Sequence, residues 1–397
     1  MRQRTSPKLF EANRSHDAKR LNYSEPSYRY LAASAQPEAE IIRQLLEDWL
    51  LHYPMPLHND IVSRFRSARD EQHKAATFEL YLFTLLRKLG YNIEVGPYLG
   101  VERPDFLARE NDGVAFILEA TSVTEASDKE TSGIRRRERI LDQLYSLRSN
   151  RFLVDVSYDG APTSDVNIKR ELACIERWLD TLTDEQPTTA PGSTHLAEAP
   201  TYTFAVEGLS IELTAISARE AGLQPSSDHI IMSIGAKEAR FSITSEAIRK
   251  KIENKMKHYE RANHPFVLAI NSSNFAISQH EVFSALFGDL AVQVPMGARR
   301  ERAPTIVRIP NGVLYHMGQP RWTRLSALLI IGDLHPWSIG ARKLTLFENP
   351  HAACKLRGPI TVLQRVSINN DGNSVLHEGR QPWEILGLWQ GWPRGDS

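Results

Sequence analysis

Asp105 and Glu119 are the two residues whose spacing most directly suggests chemistry. They lie in Arg103-Pro-Asp-Phe-Leu-Ala-Arg109 and Val114-Ala-Phe-Ile-Leu-Glu-Ala-Thr121, two strand-like runs joined through Asn111-Asp-Gly113. That pattern reads as a β-hairpin. With a three-residue loop and Gly113 in the left-handed region, Glu110 pairs with Val114 and Asp105 falls opposite Glu119 on one face. Two carboxylates so placed repel unless something positive sits between them. A hard divalent cation suits the position, because Mg²⁺ (or Mn²⁺) takes one or two carboxylates plus water and phosphate oxygens. A two-residue loop would instead set Phe106 opposite Glu119 and leave no such pair. Glu79 is a third acid, set in the apolar stretch Phe78-Glu-Leu-Tyr-Leu-Phe-Thr-Leu-Leu86. At helical spacing it shares a face with Leu82 and Leu86, where a carboxylate needs a partner or a metal.

The elements that must position these acids follow from periodicity. A helix is expected over 38–51, stopping before Pro54, and a second over 72–89, closed by Gly90. Strands are expected over 91–95, 152–157, 201–206, 209–216 and 229–234, with helices over 128–150 and 167–182. The stretch 185–200, rich in Pro, Thr, Ala and Gly, reads as a loop. A long helix over 245–263, capped by Thr244 or Ser245, leads into Phe266-Val-Leu-Ala-Ile-Asn271, the run of a buried strand. A helix near 279–287 precedes mixed strands, turns and a Trp-rich tail. Residues 1–36 show no sustained periodicity and read as a flexible arm.

Composition narrows the classes. The 397 residues carry 48 Lys plus Arg against 48 Asp plus Glu, so the chain is not a generally basic binder, although a local basic groove remains compatible. Hydrophobic residues make up 41%, too many for wholesale disorder. Two cysteines, Cys174 and Cys354, offer neither a disulfide framework nor a Cys-x-x-Cys zinc site. No run of about 20 apolar residues and no signal-peptide pattern occurs, so a cytoplasmic protein away from membranes is the expectation. Phosphate loops, dinucleotide-binding glycines and the serine-hydrolase elbow are all missing.

These residues resemble the PD-(D/E)XK nuclease superfamily. Pro104-Asp105 looks like its PD motif, Glu119-Ala120-Thr121 falls at its (D/E)XK motif, and Glu79 matches the acid on its first core helix. Lys255-x-x-x-Tyr259 looks like the QxxxY helix of some branches, with Lys for Gln. The segments Phe78-Glu-Leu-Tyr81, Arg103-Pro-Asp-Phe106 and Leu118-Glu-Ala-Thr121 resemble those of a divergent E-x-T group of bacterial proteins. The resemblance spans about 72–121 and 245–271. It implies an α/β fold: a restriction-endonuclease-like mixed sheet flanked by helices over 37–277. A large insertion would fall at about 122–244, and an α+β region of its own over 278–397. It also implies Mg²⁺-dependent hydrolysis of nucleic-acid phosphodiesters, most simply by a DNA endonuclease. Asp105, Glu119 and the Ala120 carbonyl would hold the ion, and Glu79 would orient a water or hold a second ion.

The motif lysine is replaced by Thr121, which can bind a water or phosphate but supplies no charge. Some members take that lysine from a neighbouring helix. Here Arg249, Lys250, Lys251, Lys255 and Lys257 crowd one helix, and Lys251, Lys255 and Tyr259 form one stripe. Lys255 is the first candidate for the migrated cation and Lys251 the second. The plain alternative is a solvated face balanced by Glu246, Glu253 and Glu260. Lys250, Tyr259 and the run Arg135-Arg136-Arg137 are candidates to contact nucleic acid, as is Arg299-Arg-Glu-Arg302 more weakly. Trp383, Trp389 and Trp392 either stack bases or close a core. A nuclease fold without cleavage that still binds nucleic acid is the rival reading, and a structural or interaction protein the third. A homodimer would supply two sites for cutting two strands.

Overall fold

A computed structural model describes residues 7–11, 25–100, 102–111, 113–123, 128–149, 151–183, 199–218, 230–236, 245–259, 263–272, 279–293, 305–316, 318–369 and 374–394. The chain divides into two compact units. One comprises Met1–Lys19, Pro26–Glu125 and Phe241–Ser397; the other comprises Arg20–Glu25 and Ala126–Arg240.

The first unit begins with helices α1 (Ser27–Ala33), α2 (Pro37–His52), α3 (His58–Phe65) and α4 (Asp70–Lys88), followed by strands β1 (Asn92–Val95), β2 (Phe106–Glu110) and β3 (Gly113–Val123). Helix α4 opens on Asp70 and Glu71 and closes on Arg87 and Lys88, charges that suit the two ends of its dipole. Gly90, at φ 97°, ends it. Leu80, Tyr81, Leu82, Leu85 and Leu86 are all fully buried. A helix this apolar all round must be enclosed, and α4 packs against α1, α2, α3 and β3.

The second unit holds α5 (Asp128–Leu144), β4 (Phe152–Gly160), α6 (Lys169–Thr181), β5 (Thr201–Val206), β6 (Leu209–Ser217) and β7 (Ile231–Ala236). Its sheet runs β5-β6-β4-β7, antiparallel except for β4 beside β7. Phe152, Val154, Val156, Ile211 and Leu213 form its own core with Ile175 and Leu179 of α6.

The chain then returns to the first unit through α7 (Ser245–Met256), β8 (Phe266–Ser272), α8 (Gln279–Phe287), β9 (Leu290–Gln293), β10 (Thr305–Arg308), β11 (Tyr315–His316), β12 (Gln319–Pro320), β13 (Leu325–Gly332), β14 (Leu344–Glu348), β15 (Arg365–Ile368), β16 (Ser374–His377) and α9 (Pro382–Leu386). One eight-stranded mixed sheet runs β1-β2-β3-β8-β13-β14-β15-β16. β1, β2 and β3 form an antiparallel meander, while β3, β8 and β13 are parallel neighbours. Both central strands β8 and β13 are buried throughout, as continuous apolar runs in parallel strands require. Alternate residues split the sheet's two faces. Phe106, Leu118, Val267 and Ala269 join the core around α4. Leu107, Ile117, Phe266 and Leu268 join Ile248, Ile252 and Met256 of α7 on the other face.

Three expectations are corrected. The described parts of the expected arm, 7–11 and 25–36, are packed: Leu9, Phe10, Tyr28 and Leu31 are buried. The apolar stripe there spans barely two turns, too short to stand out as periodic. The region from 278 onward does not stand apart, because β13 to β16 extend the same sheet as the hairpin. Helix α7 ends at Met256 rather than near 263, leaving Tyr259 beyond its last turn. Thr244 and the 299–302 run lie outside the described residues. No described helix is long and apolar enough to cross a membrane. Trp392 and Trp383 are buried and serve the core, whereas Trp389 is about half exposed.

Candidate active site

The hairpin reaches the expected register by a different route. Glu110 pairs with Gly113 rather than Val114, and the left-handed residue is Asn111, at φ 48°. Asparagine tolerates that region, so the glycine is not needed for it. A register shift between Ala108 and Arg109 then inserts one extra residue on β3, a bulge that restores Ala108 opposite Phe116 and Phe106 opposite Leu118. The paired register stops at Phe106 and Leu118, and Asp105, the next residue back along the chain, lies close enough to Glu119 to feel its charge. Glu119 shares the face of Ile117, the face that α7 covers, whereas Asp105 sits in the bend just before β2 and reaches in to the Ala120 N–H.

Glu119 is 6% exposed, and both of its oxygens are engaged. Lys255 Nζ lies 2.6 Å from Oε1, and the Tyr259 hydroxyl donates to Oε2 at 2.5 Å. A carboxylate at that depth needs such partners. Burial, then the contact with Glu119, pushes the Tyr259 hydroxyl well above its ordinary range, so it stays a neutral donor. Asp105 Oδ2 accepts the Ala120 N–H at 2.7 Å. Burial first, and the neighbouring Glu119 second, raise the Asp105 carboxyl to about 7; the Ala120 N–H and Lys255 work against that rise. In an extended strand the N–H and C=O of one residue point to the same side. The Ala120 carbonyl therefore looks toward the edge where Asp105 sits. Oxygens of Asp105, Glu119 and Ala120 are the donors that a hard cation would meet. No group of three or more His, Cys, Asp or Glu side chains suited to a metal occurs among the described residues.

Glu79 lies within electrostatic reach of Asp105, but its two oxygens are engaged by other partners. It projects from α4, which packs on the other face of the sheet. Its Oε2 lies 2.7 Å from Arg64 Nη1, and its Oε1 accepts the Tyr53 hydroxyl. Burial and Glu79 push that hydroxyl far up. Asp105 feels the Glu79 charge less than that of Glu119. Arg64 lies on α3, whose only sequence signal is the short buried stripe Ile61, Val62 and Phe65. Replacing Glu79 with Gln is accordingly expected to cost about 1–2 kcal/mol of stability through the lost ion pair while leaving any cleavage largely intact. Urea denaturation beside a cleavage assay measures both; loss of cleavage at unchanged stability would return Glu79 to the reacting centre.

The other candidates are dispersed. Thr121, two residues beyond Glu119 and on the same face, is half-buried. Lys250 is exposed and pairs with Glu246 at 2.7 Å. Lys251 is half-buried, one turn before Lys255. Arg135, Arg136 and Arg137 belong to the second unit, on α5. There Arg137 stacks over the Tyr158 ring at 4.4 Å and donates to the Gly160 carbonyl. Residues 126–240 carry 13 Lys plus Arg against 18 Asp plus Glu, a balance that does not favour a phosphate-binding role for this arginine run.

Comparison of the chain with family models, curated proteins and solved structures yields no match.

Proposed function

We propose that the chain is a Mg²⁺-dependent nuclease with a restriction-endonuclease-like core, acting on DNA. The order of elements supports this reading: helix α4, the meander β1-β2-β3, then helix α7 and strand β8 parallel to β3. Asp105 precedes β2, Glu119 sits in β3, and α7 delivers the lysine that position 121 lacks. The observation that carries the reading is the 2.6 Å contact of Lys255 Nζ with Glu119 beside Asp105. It sets a cation from a neighbouring helix where Thr121 supplies none.

The donor set fits a hard divalent ion. Two neighbouring carboxylates, one of them raised toward neutrality by burial first and by the other second, are a pair that Mg²⁺ would relieve, and two carboxylates plus water suffice for that ion. Asp105, Glu119 and the Ala120 carbonyl would hold it. Bound there, the ion would polarise a phosphate oxygen and acidify a water. The remaining work falls to the chain. Lys255 offers a donor to charge developing on phosphorus. Tyr259 fixes the Glu119 carboxylate, and the Ala120 N–H fixes that of Asp105. Removal of water from Glu119 strengthens both contacts.

A second reading is favoured by one observation: both Glu119 oxygens are already satisfied by Lys255 and Tyr259, which suits a binding module without cleavage. An assay on plasmid and single-stranded DNA in Mg²⁺ or Mn²⁺ separates the two. The nuclease reading expects cleavage that falls at least about 10²-fold in Asp105→Ala. Cleavage surviving in that variant contradicts it, and binding with no cleavage in the wild type favours the second reading.

A further inference from the structure

Within α7 there are four cationic side chains, and three of them are engaged. Arg249 contacts Asp289 at 2.8 Å and donates to the Ser284 carbonyl. Lys250 pairs with Glu246, and Lys255 with Glu119. Lys251 alone has no hydrogen-bond or ion-pair partner among the described residues. It is nevertheless half-buried, and its one charged neighbour on that stripe is another ammonium, Lys255, four residues on. Like charges at this spacing repel, and partial burial of an unpaired ammonium is unfavourable. Exposed lysines escape both effects by turning to water. An anion lying against the stripe would offset both.

We infer that Lys251 forms a phosphate subsite beside the acid pair, taking the backbone phosphate next to the one that an ion held by Asp105 and Glu119 would meet. This rests on the nuclease reading and assigns the two lysines different work. Lys255 is neutralised by Glu119 and serves the reacting centre, whereas Lys251 keeps its charge for the polynucleotide. Burial and Lys255 also lower the proton affinity of Lys251, the direction that a neighbouring phosphate would reverse. The ligand chemistry is a phosphate oxygen, which a nucleic-acid strand or free inorganic phosphate can both supply.

The test is equilibrium binding of a fluorescein-labelled single-stranded oligonucleotide to the full chain in EDTA, over a salt series, with competition by inorganic phosphate. Wild type, Lys251→Ala and Lys251→Arg are compared, with circular dichroism to check folding. In Lys251→Ala the slope of log K against log salt is expected to fall by about 0.7, the value of one lost phosphate contact on a single strand. Lys251→Arg should keep the wild-type slope. Competition by phosphate at concentrations where ionic strength alone has no effect would assign the subsite to free phosphate as well as to the strand. An unchanged slope in Lys251→Ala overturns the inference, and cleavage in Mg²⁺ by the same variant then leaves the nuclease reading standing. A Lys251-dependent slope without cleavage by the wild type keeps the inference and removes the nuclease reading. Absence of any oligonucleotide binding by the wild type in EDTA overturns the inference, and cleavage in Mg²⁺ then decides the nuclease reading on its own.

Discussion

Asp105→Asn is expected to stabilise the metal-free protein at pH 8 while abolishing Mg²⁺-supported cleavage. The Asp105 carboxyl is raised from its ordinary range near 3.8 to about 7 by burial and by Glu119. The folded protein therefore binds a proton that the unfolded chain has already released. Stability from this group is fully present below about pH 4 and is lost as pH rises through 7. Asparagine can still accept the Ala120 N–H through its amide oxygen, but it carries no charge to oppose Glu119. The gain over wild type should be close to zero near pH 4 and reach about 2–4 kcal/mol above pH 7. Urea denaturation in EDTA at pH 4 and pH 8 measures it. A variant less stable than wild type at pH 8 would show that the Asp105 carboxyl is not held above its ordinary range.

Lys255→Met should have the opposite effect on stability and the same effect on cleavage. It leaves the Glu119 carboxylate, 6% exposed, with Tyr259 as its remaining hydrogen-bond donor. Breaking a buried pair costs about 3–5 kcal/mol; the Lys255 side chain is 29% exposed, so about 2–3 kcal/mol is expected. The double variant Glu119→Gln with Lys255→Met removes both charges and should recover much of that loss. Additive single effects would mean that the contact contributes nothing to stability. Lys255→Arg keeps the charge but changes its shape, and is expected to restore stability more fully than cleavage.

The local half of this site was legible in the sequence. Asp105 and Glu119 are brought together by a short hairpin, and hairpin register is a property of some 15 consecutive residues. Even there the details differ: the left-handed residue is Asn111, and a bulge supplies the residue that a longer loop would have supplied. The Lys255 contact joins residues 136 apart and was suggested only by resemblance. No local pattern reports it, because nothing in α7 itself says which strand it will cover. Glu79 shows the limit from the other side. Its apolar surroundings correctly signalled a carboxylate in need of a partner, but Arg64 and Tyr53 come from other elements. The run Leu325–Gly332 was visibly apolar, yet its place beside β8 is a tertiary choice. The meander and the buried strand Phe266–Ser272 were readable because periodicity and burial agree there. The short helices Ser27–Ala33 and His58–Phe65 were not, since seven or eight residues hold too few repeats of a 3.6-residue period.

The central claim is that Asp105 and Glu119 together hold one divalent cation. Isothermal titration of the metal-free chain with Mg²⁺ at pH 8, repeated with Mn²⁺ followed by its paramagnetic resonance signal, tests it without any substrate. One ion per chain is predicted for the wild type, lost in both Asp105→Asn and Glu119→Gln. A wild type that binds no ion, or binding left unchanged by both substitutions, would contradict the claim.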